Sequence, residues 1–342
     1  MSDLSGTKVA LDGFGVEKGF DVLEAGIRRA ADDGIRIRVF GPSDRIDLSD
    51  LPGAELFDVR ESITNEEDPV PAVRSRPGAS IVRAVEDTRQ GNSEAVVSLG
   101  STGAAMAAST FGLKRLRGVK RPALAAVVPL PGKPVLFLDI GANAEVRAQH
   151  LIQFAYLGAA FSTAVMGVES PTVGLLSIGA ESGKGRDEEV EANRVLSQSG
   201  EIKFVGNVEG GDVPGAGADV IVTDGFTGNV VVKTMEGVVK LVTGAISDAA
   251  RSNPLSAVGG LMLRPALSGL KTDLHPDTTG GAILLGLRSV AVVGHGSSGP
   301  DGVANAIRVA ARGAAVDAPG LTGEMLHRVG LNRGAIGSGD QS

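Results

Sequence analysis

Groups able to hold phosphate recur in this sequence in one form: a short Gly-, Ser- or Thr-rich segment between an apolar run and a helical pattern. Ser98-Leu-Gly-Ser-Thr-Gly103 is the fullest example. Ser101, Thr102 and Gly103 would open a helix there. A helix start presents unpaired backbone N–H groups and the positive end of the peptide dipole, both suited to an anion. The same residues also make an ordinary helix cap, so the segment alone leaves both readings open. Asp224-Gly-Phe-Thr-Gly-Asn229 repeats the strand-to-helix form, with Asp224 or Asn229 able to orient a ligand or merely to cap. Gly179-Ala-Glu-Ser-Gly183-Lys184-Gly185 falls one residue short of a P-loop, and Gly185 stands where Ser or Thr would hold magnesium, which excludes an NTPase. Lys184 remains either a mobile cation for phosphate or an acidic partner, or a plain surface lysine.

Other chemistries find less support. Gly13-Phe-Gly15-Val-Glu-Lys-Gly19 follows an apolar run as a dinucleotide loop would, but its third glycine is one place late. The acid expected at the end of the second strand is also missing, since Val39-Phe40-Gly41 stands there. The four histidines, His150, His275, His295 and His327, have no metal-ligand spacing. His295, set between glycines after an apolar run, faces a ligand or holds a structural hydrogen bond. With no cysteine there is no thiol nucleophile, disulfide or thiolate metal site. With no G-x-S-x-G elbow, a serine hydrolase is disfavoured. A formal net charge of −7 argues against nucleic acid as the main partner. Lys114, Arg115, Arg117, Lys120 and Arg121 nevertheless form a local basic cluster at the end of an expected helix, which either steers an acidic protein or complements the helix dipole.

The elements that must position these loops alternate. Strands are expected at 9–11, 35–40, 95–98, 124–128, 135–140, 173–178, 203–205, 220–223 and 290–293, and helices at 21–32, 80–89, 102–117, 148–161, 188–196, 229–250 and 303–311. Apolar strands alternating with helices predict an α/β fold with a doubly wound, mostly parallel sheet covered on both faces. Ligands then bind at the carboxyl ends of the strands, so the loops are expected to converge on one site. The uncharged stretch Leu151–Val168 reads as a buried helix rather than a membrane span, because it holds Gln153, Ser162 and Thr163 and lacks Lys/Arg-rich flanks. The opening residues lack a signal-peptide layout, which predicts a cytoplasmic protein. Leu255, Val258, Leu261, Met262 and Leu263, with basic neighbours, fit a dimer contact, a shallow membrane anchor or core. One catalytic domain is expected over 1–318, with a helical protrusion at about 240–275 and a polar tail at 319–342.

Taken in order, the loops resemble the PlsX-type phosphate acyltransferases, the acyl carrier protein:phosphate acyltransferases of bacterial phospholipid synthesis. The stretches that carry the resemblance are Ser98-Leu-Gly-Ser-Thr-Gly-Ala-Ala-Met106, Arg121-Pro-Ala-Leu124, Leu138-Asp-Ile-Gly-Ala-Asn143, His150-Leu-Ile-Gln-Phe-Ala155, Val173-Gly-Leu-Leu-Ser-Ile-Gly179, Lys184-Gly185, Gly206-Asn-Val-Glu-Gly210, Asp224-Gly-Phe-Thr-Gly-Asn-Val230 and His295-Gly-Ser-Ser298. The resemblance implies a phosphotransacetylase- or isocitrate-dehydrogenase-like fold. It also implies transfer of a fatty acyl group from acyl carrier protein to inorganic phosphate, with the acyl phosphate passing to a glycerol-phosphate acyltransferase. It further implies a homodimer and peripheral contact with the inner face of the cell membrane; no cofactor or metal is expected from the residues themselves. Carried onto this chain, Lys184, Asp224, Asn229 and Asn143 would stand at the reacting centre. Ser101, Thr102 and Gly103 would cradle phosphate, and Asp12, Gly15, Glu181 and His295 would contact substrate. Where such proteins usually have Asp-Ala-Met-Gly-Gly-Asp, this chain has Asp12-Gly-Phe-Gly-Val-Glu17; Ser101 replaces a usual Asn, and Ala79 a usual Ser. The alternatives are an acyltransferase using acyl-CoA, a non-catalytic paralogue that binds carrier protein or membrane, and an NAD-linked dehydrogenase.

Overall fold

The computed structural model describes residues 4–130, 133–215, 217–253, 256, 258–259, 262–263 and 276–331. The strands are β1 Lys8–Asp12, β2 Arg36–Gly41, β3 Ala54–Asp58, β4 Ala95–Ser98, β5 Ala123–Val128, β6 Val135–Leu138, β7 Thr172–Ser177, β8 Lys203–Glu209, β9 Val220–Val222, β10 Ala282–Leu285 and β11 Val290–Val293. They form one sheet in the order β3-β2-β1-β4-β11-β10-β5-β6-β9-β7-β8. The helices are α1 Phe20–Ala31, α2 Pro69–Ser75, α3 Ser80–Arg89, α4 Thr102–Gly112, α5 Ala148–Ala164, α6 Asp187–Ser197, α7 Gly225–Arg251, α8 Pro300–Ala315 and α9 Ala318–Arg328.

Strands apolar along their whole length are buried on both faces, and the helices divide accordingly. Leu23 and Ile27 of α1, Leu151 and Leu157 of α5, Leu196 of α6, Ile307 of α8 and Leu326 of α9 join one core with Val9, Leu11, Leu136 and Leu138. On the other face, Ala72 of α2, Ile81 of α3 and Ala104 and Ala108 of α4 pack with Ala10, Val96 and Leu124. Val231, Val232 and Met235 of α7 join Val128, Leu130, Val135 and Phe137 there.

The sheet reverses direction three times in succession, at β11–β10, β10–β5 and β5–β6, which leaves its two parallel blocks running in opposite senses. β1, β2, β3, β4 and β11 are mutually parallel. β10 is antiparallel to both β11 and β5, and β5 is antiparallel to β6. β6, β9, β7 and β8 are again mutually parallel, in the opposite sense. The carboxyl ends of β1, β4 and β11 therefore lie along one rim, and those of β6, β7, β8 and β9 along the other. The expected convergence of all the loops is replaced by two clusters.

Several elements differ from the sequence expectation. The basic segment does not continue the helix to Arg117: α4 ends at Gly112, Lys114 has φ 63°, and the Leu116 N–H donates to Gly286 O at 2.9 Å. α7 starts at Gly225 rather than Asn229, because Asp224 caps it. A polar tail beginning at 319 is corrected. Asp317 accepts from the Gly320 N–H and opens α9, whose Leu326 is 1% exposed in the core; apolar residues spaced along this short Gly-containing stretch were enough for a helix once α5 and α8 were there to cover it. α7, which has only Gly225 and Gly228 buried along 27 residues, overlaps the start of the helical protrusion expected at about 240–275, most of whose remainder lies outside the described residues. Leu255 and Leu261 lie outside the described residues, whereas Val258, Met262 and Leu263 are exposed. Among the described residues no helix is long and apolar enough to cross a membrane.

Candidate functional site

At the first rim, the loops after β1, β4 and β11 enclose a cavity of about 460 Å³ lined by Asp12, Gly15, Ser101, Thr102 and His295, together with Glu17, Ser62, Thr64 and Asn65. Asp12, the last residue of β1, is buried and accepts hydrogen bonds from Ser80 Oγ at 2.6 Å, Ser98 Oγ at 2.8 Å and the Phe14 N–H at 3.2 Å. Burial pushes its carboxyl above the usual carboxylate range, against the pull of the two hydroxyls. Ser101 caps α4 by accepting from the Ala104 N–H. The first and second loops touch at Gly15, where φ is 95° and a Cβ would stand 2.1 Å from Gly100 Cα, so only glycine lets them close. Gly103 lies against Pro69 of α2 and does not line the cavity. His295 Nδ1 is 2.7 Å from Ser297 Oγ. Ser62, Thr64 and Asn65 come from the segment between β3 and α2, to which the sequence reading assigns no site.

At the opposite rim, the centre is Asp139, which is 0% exposed. Its carboxylate accepts from the backbone N–H groups of Leu124, Gly141, Ala142 and Asn143 at 3.0, 3.1, 2.9 and 2.7 Å, and from Asn143 Nδ2 at 2.7 Å. The Asn143 side-chain amide also donates to Pro122 O at 2.8 Å, and the Asn143 backbone carbonyl accepts from the Gly225 N–H at 2.7 Å. Asn143 thus fixes this loop to the start of α7. Asp224 caps α7 by accepting from the Thr227 N–H at 2.8 Å and Thr227 Oγ1 at 2.7 Å, and it accepts from Arg186 Nη2 at 2.5 Å. Burial alone would raise the Asp224 carboxyl, but the Thr227 N–H and the guanidinium outweigh it and hold the group below the usual range. Arg186 also pairs with Glu189, and both carboxylates keep it firmly protonated.

The loop carrying Lys184 is clamped by Asn207, whose Nδ2 donates to Glu181 O at 2.8 Å, Gly179 O at 3.1 Å and Lys184 O at 3.3 Å. Ser177 Oγ donates to Lys184 O at 2.8 Å. Glu181, Lys184 and Asn229 are exposed, and the Lys184 ammonium has no ion-pair partner among the described residues. This rim therefore offers a free ammonium and a free amide beside a capped helix start, which suits an oxyanion. Arg186 carries no role in the sequence reading although it directly follows Gly185, and Asn207 stands there only within Gly206-Asn-Val-Glu-Gly210 with no role of its own; the Arg186/Glu189 spacing of three is the available signal for the arginine.

Solved structures that superpose on this chain show its fold. A phosphotransacetylase from Streptococcus pyogenes superposes with a TM-score of 0.60 at 16% identity, covering 91% of this chain and 95% of its own. A branched-chain phosphotransacylase from Enterococcus faecalis V583 gives 0.58 at 14%, covering 90% and 99%. The fold is that of the phosphotransacetylases. Residues 7–319 match the family model described as fatty acid synthesis protein. A phosphate acyltransferase from Elusimicrobium minutum (strain Pei191) is 41% identical over 314 residues, which are 89% of this chain and 92% of the relative. One from Nostoc punctiforme (strain ATCC 29133 / PCC 73102) is 39% identical over 311 residues, with the same coverage. The chain belongs to this family, the one its loops resemble, and is an acyltransferase.

Proposed function

We propose that the protein transfers a fatty acyl group from the thioester of acyl carrier protein to inorganic phosphate, forming acyl phosphate for phospholipid synthesis. A phosphate oxygen attacks the thioester carbonyl, the carbon–sulfur bond breaks, and the carrier thiol leaves with a proton. Phosphate is itself the nucleophile, which suits a chain without cysteine. The observation that carries this reading is that the exposed Lys184 ammonium and the exposed Asn229 amide stand on two segments tied together by the Arg186–Asp224 contact, at the rim where Asp224 caps α7. Such groups bind the attacking dianion and stabilise the developing oxyanion without forming an acyl-enzyme.

The test incubates palmitoyl-acyl carrier protein with and without phosphate, follows thioester loss and traps acyl phosphate as hydroxamate. Phosphate-dependent hydroxamate is expected. Lys184→Ala should lower kcat/KM by about 10²–10³ with an unchanged melting temperature, as for loss of one oxyanion donor from an exposed site. Thioester loss that does not depend on phosphate would sink the reading, and turnover of the CoA thioester at least equal to that of the carrier would replace the donor.

The same reading includes a homodimer and a membrane contact. α7 exposes Val238, Leu241, Val242 and Ile246, and Leu241 is 71% exposed, an apolar face long enough for a second copy. A single-chain mass at micromolar concentration in sedimentation equilibrium would remove the dimer. Val258, Met262 and Leu263 stand exposed beyond α7 and suit a lipid surface, from which the acyl phosphate can pass to a glycerol-phosphate acyltransferase. Failure to float with anionic vesicles would exclude that contact.

A further inference from the structure

Seven cations crowd one surface of an otherwise acidic protein. Lys114, Arg115, Arg117, Lys120 and Arg121 follow α4, Arg147 precedes α5 and Arg288 precedes β11, and all are exposed. Many arginines elsewhere are paired with acids, among them Arg28 with Asp50, Arg38 with Asp87 and Glu55, Arg76 with Glu67, Arg89 with Glu86 and Arg308 with Asp33, while Arg45 and Arg74 lie over the rings of Phe20 and Phe111. Among the described residues none of the seven has a carboxylate partner. Their guanidinium contacts go to backbone carbonyls instead. Arg115 Nη1 donates to Lys120 O, Arg121 Nη1 to Glu145 O at 3.0 Å and Arg288 Nε to Arg115 O at 3.2 Å. A carbonyl fixes a guanidinium without neutralising it, so the charge is held in place and left for something else.

The surface is also built rigidly. Gln153, buried on α5, donates through Nε2 to Gly118 O at 2.8 Å and accepts the Lys120 N–H at 2.9 Å. The Arg288 N–H donates to Lys114 O at 3.0 Å. The field of the patch reaches His150, whose ring is driven toward its neutral form by burial first and then by Arg121, Arg147 and Lys120. Glu145 is the acid on this face, and it is exposed.

Position ties the patch to the chemistry. Arg121 is followed by Pro122, whose carbonyl accepts from Asn143, and the Asn143 carbonyl accepts from the first residue of α7 beside Asp224. A macromolecule seated on these cations therefore lies next to the rim that carries Lys184 and Asn229.

We infer that this face is the docking surface for an acidic carrier protein that delivers the acyl thioester. The inference rests on the carrier-linked reading above and adds where the carrier binds. Uncompensated cations on a chain of net charge −7 repel basic partners only locally and attract an acidic one specifically to this face, raising its association rate. Its strength falls as salt rises.

Arg117→Glu together with Lys120→Glu tests it, since neither side chain donates a hydrogen bond that shapes the loop. KM for palmitoyl-carrier protein should rise about tenfold or more, with kcat at saturation unchanged and turnover of a palmitoyl-pantetheine thioester unchanged. The fall of kcat/KM with added salt seen in the wild type should flatten, and Arg117→Lys with Lys120→Arg should behave as wild type. An unchanged KM for the carrier, or an equal loss on the pantetheine thioester, overturns the surface. So does loss of flotation with anionic vesicles while the carrier KM stays fixed, which would give the patch to lipid. A wild-type enzyme that turns over CoA and pantetheine thioesters but no carrier thioester removes the carrier reading itself, and this occupant with it.

Discussion

Gly228→Ala is expected to abolish most of the activity and to lower stability by about 3 kcal/mol or more. A Cβ at this position would lie 1.9 Å from the carbonyl oxygen of Asp139. That oxygen belongs to the backbone of a loop whose own carboxylate is saturated with hydrogen bonds, so it cannot swing aside as a side chain would. Either α7 lifts off the loop or the loop is pushed off its strand. Both separate Asp224 and Asn229 from Asn143, whose carbonyl binds the Gly225 N–H. Displacing reacting groups by about 1 Å costs on the order of 10² in rate. Gly237→Ala on the same helix is the control: its Cβ meets nothing within 4 Å, and the change should be neutral or stabilising by about 0.5–1 kcal/mol. Thermal melts and acyl-phosphate formation on both variants decide the matter, and a fully active Gly228→Ala enzyme of wild-type stability would refute the close approach.

Asp139→Ala is the second. Its carboxylate gathers four backbone N–H groups and the Asn143 amide within an interior that excludes water. Removing it leaves the four backbone N–H groups without an acceptor and the Asn143 amide with Pro122 O alone. Loss of one side of a buried charge-assisted set costs about 3–5 kcal/mol, a large part of the stability of an ordinary domain. Asp139→Asn keeps the volume but turns one acceptor into a donor aimed at other donors, so it should recover only part of the loss. Denaturant midpoints are the readout. An Asp139→Ala protein that unfolds at the wild-type denaturant concentration would show that the loop is held by something else.

How much of this was legible without coordinates depends on the element. β4, β11 and α3 stand at the bounds their sequence sets, because apolar runs closed by Ser98 or Gly294 and the amphipathic run from Ser80 to Arg89 have few other ways to fold. β10 was not legible: Ala282–Leu285 is short, flanked by glycines and apolar throughout, a pattern that does not separate strand from loop. With β10 missing, the reversal of the sheet was hidden too. A strand buried on both faces reads the same in either direction, so the sequence places Ser98–Gly103 and Asp224–Asn229 at strand ends without saying that those ends face opposite rims. Residue types were legible where loop chemistry is local, as at the Asp224 and Ser101 caps. They were not where a group arrives from a distant element, as Ser80 does at Asp12 and Arg186 at Asp224.

The last strand to be made sits near the middle of the sheet. β11 enters between β4 and β10, pairing with both. On a ribosome adding about 5–20 residues per second, roughly 10–40 s separate the emergence of β4 from that of β11. Throughout that interval the two parallel blocks are half-sheets with bare, apolar edges at β4 and later β10, the kind of edge that recruits other chains. A nascent chain stalled before Val290 would carry every loop of the second cluster yet lack the strand that joins it to the first. Protection during translation, by a holding chaperone or by pausing after residue 293, is therefore a demand written into the strand order of this fold.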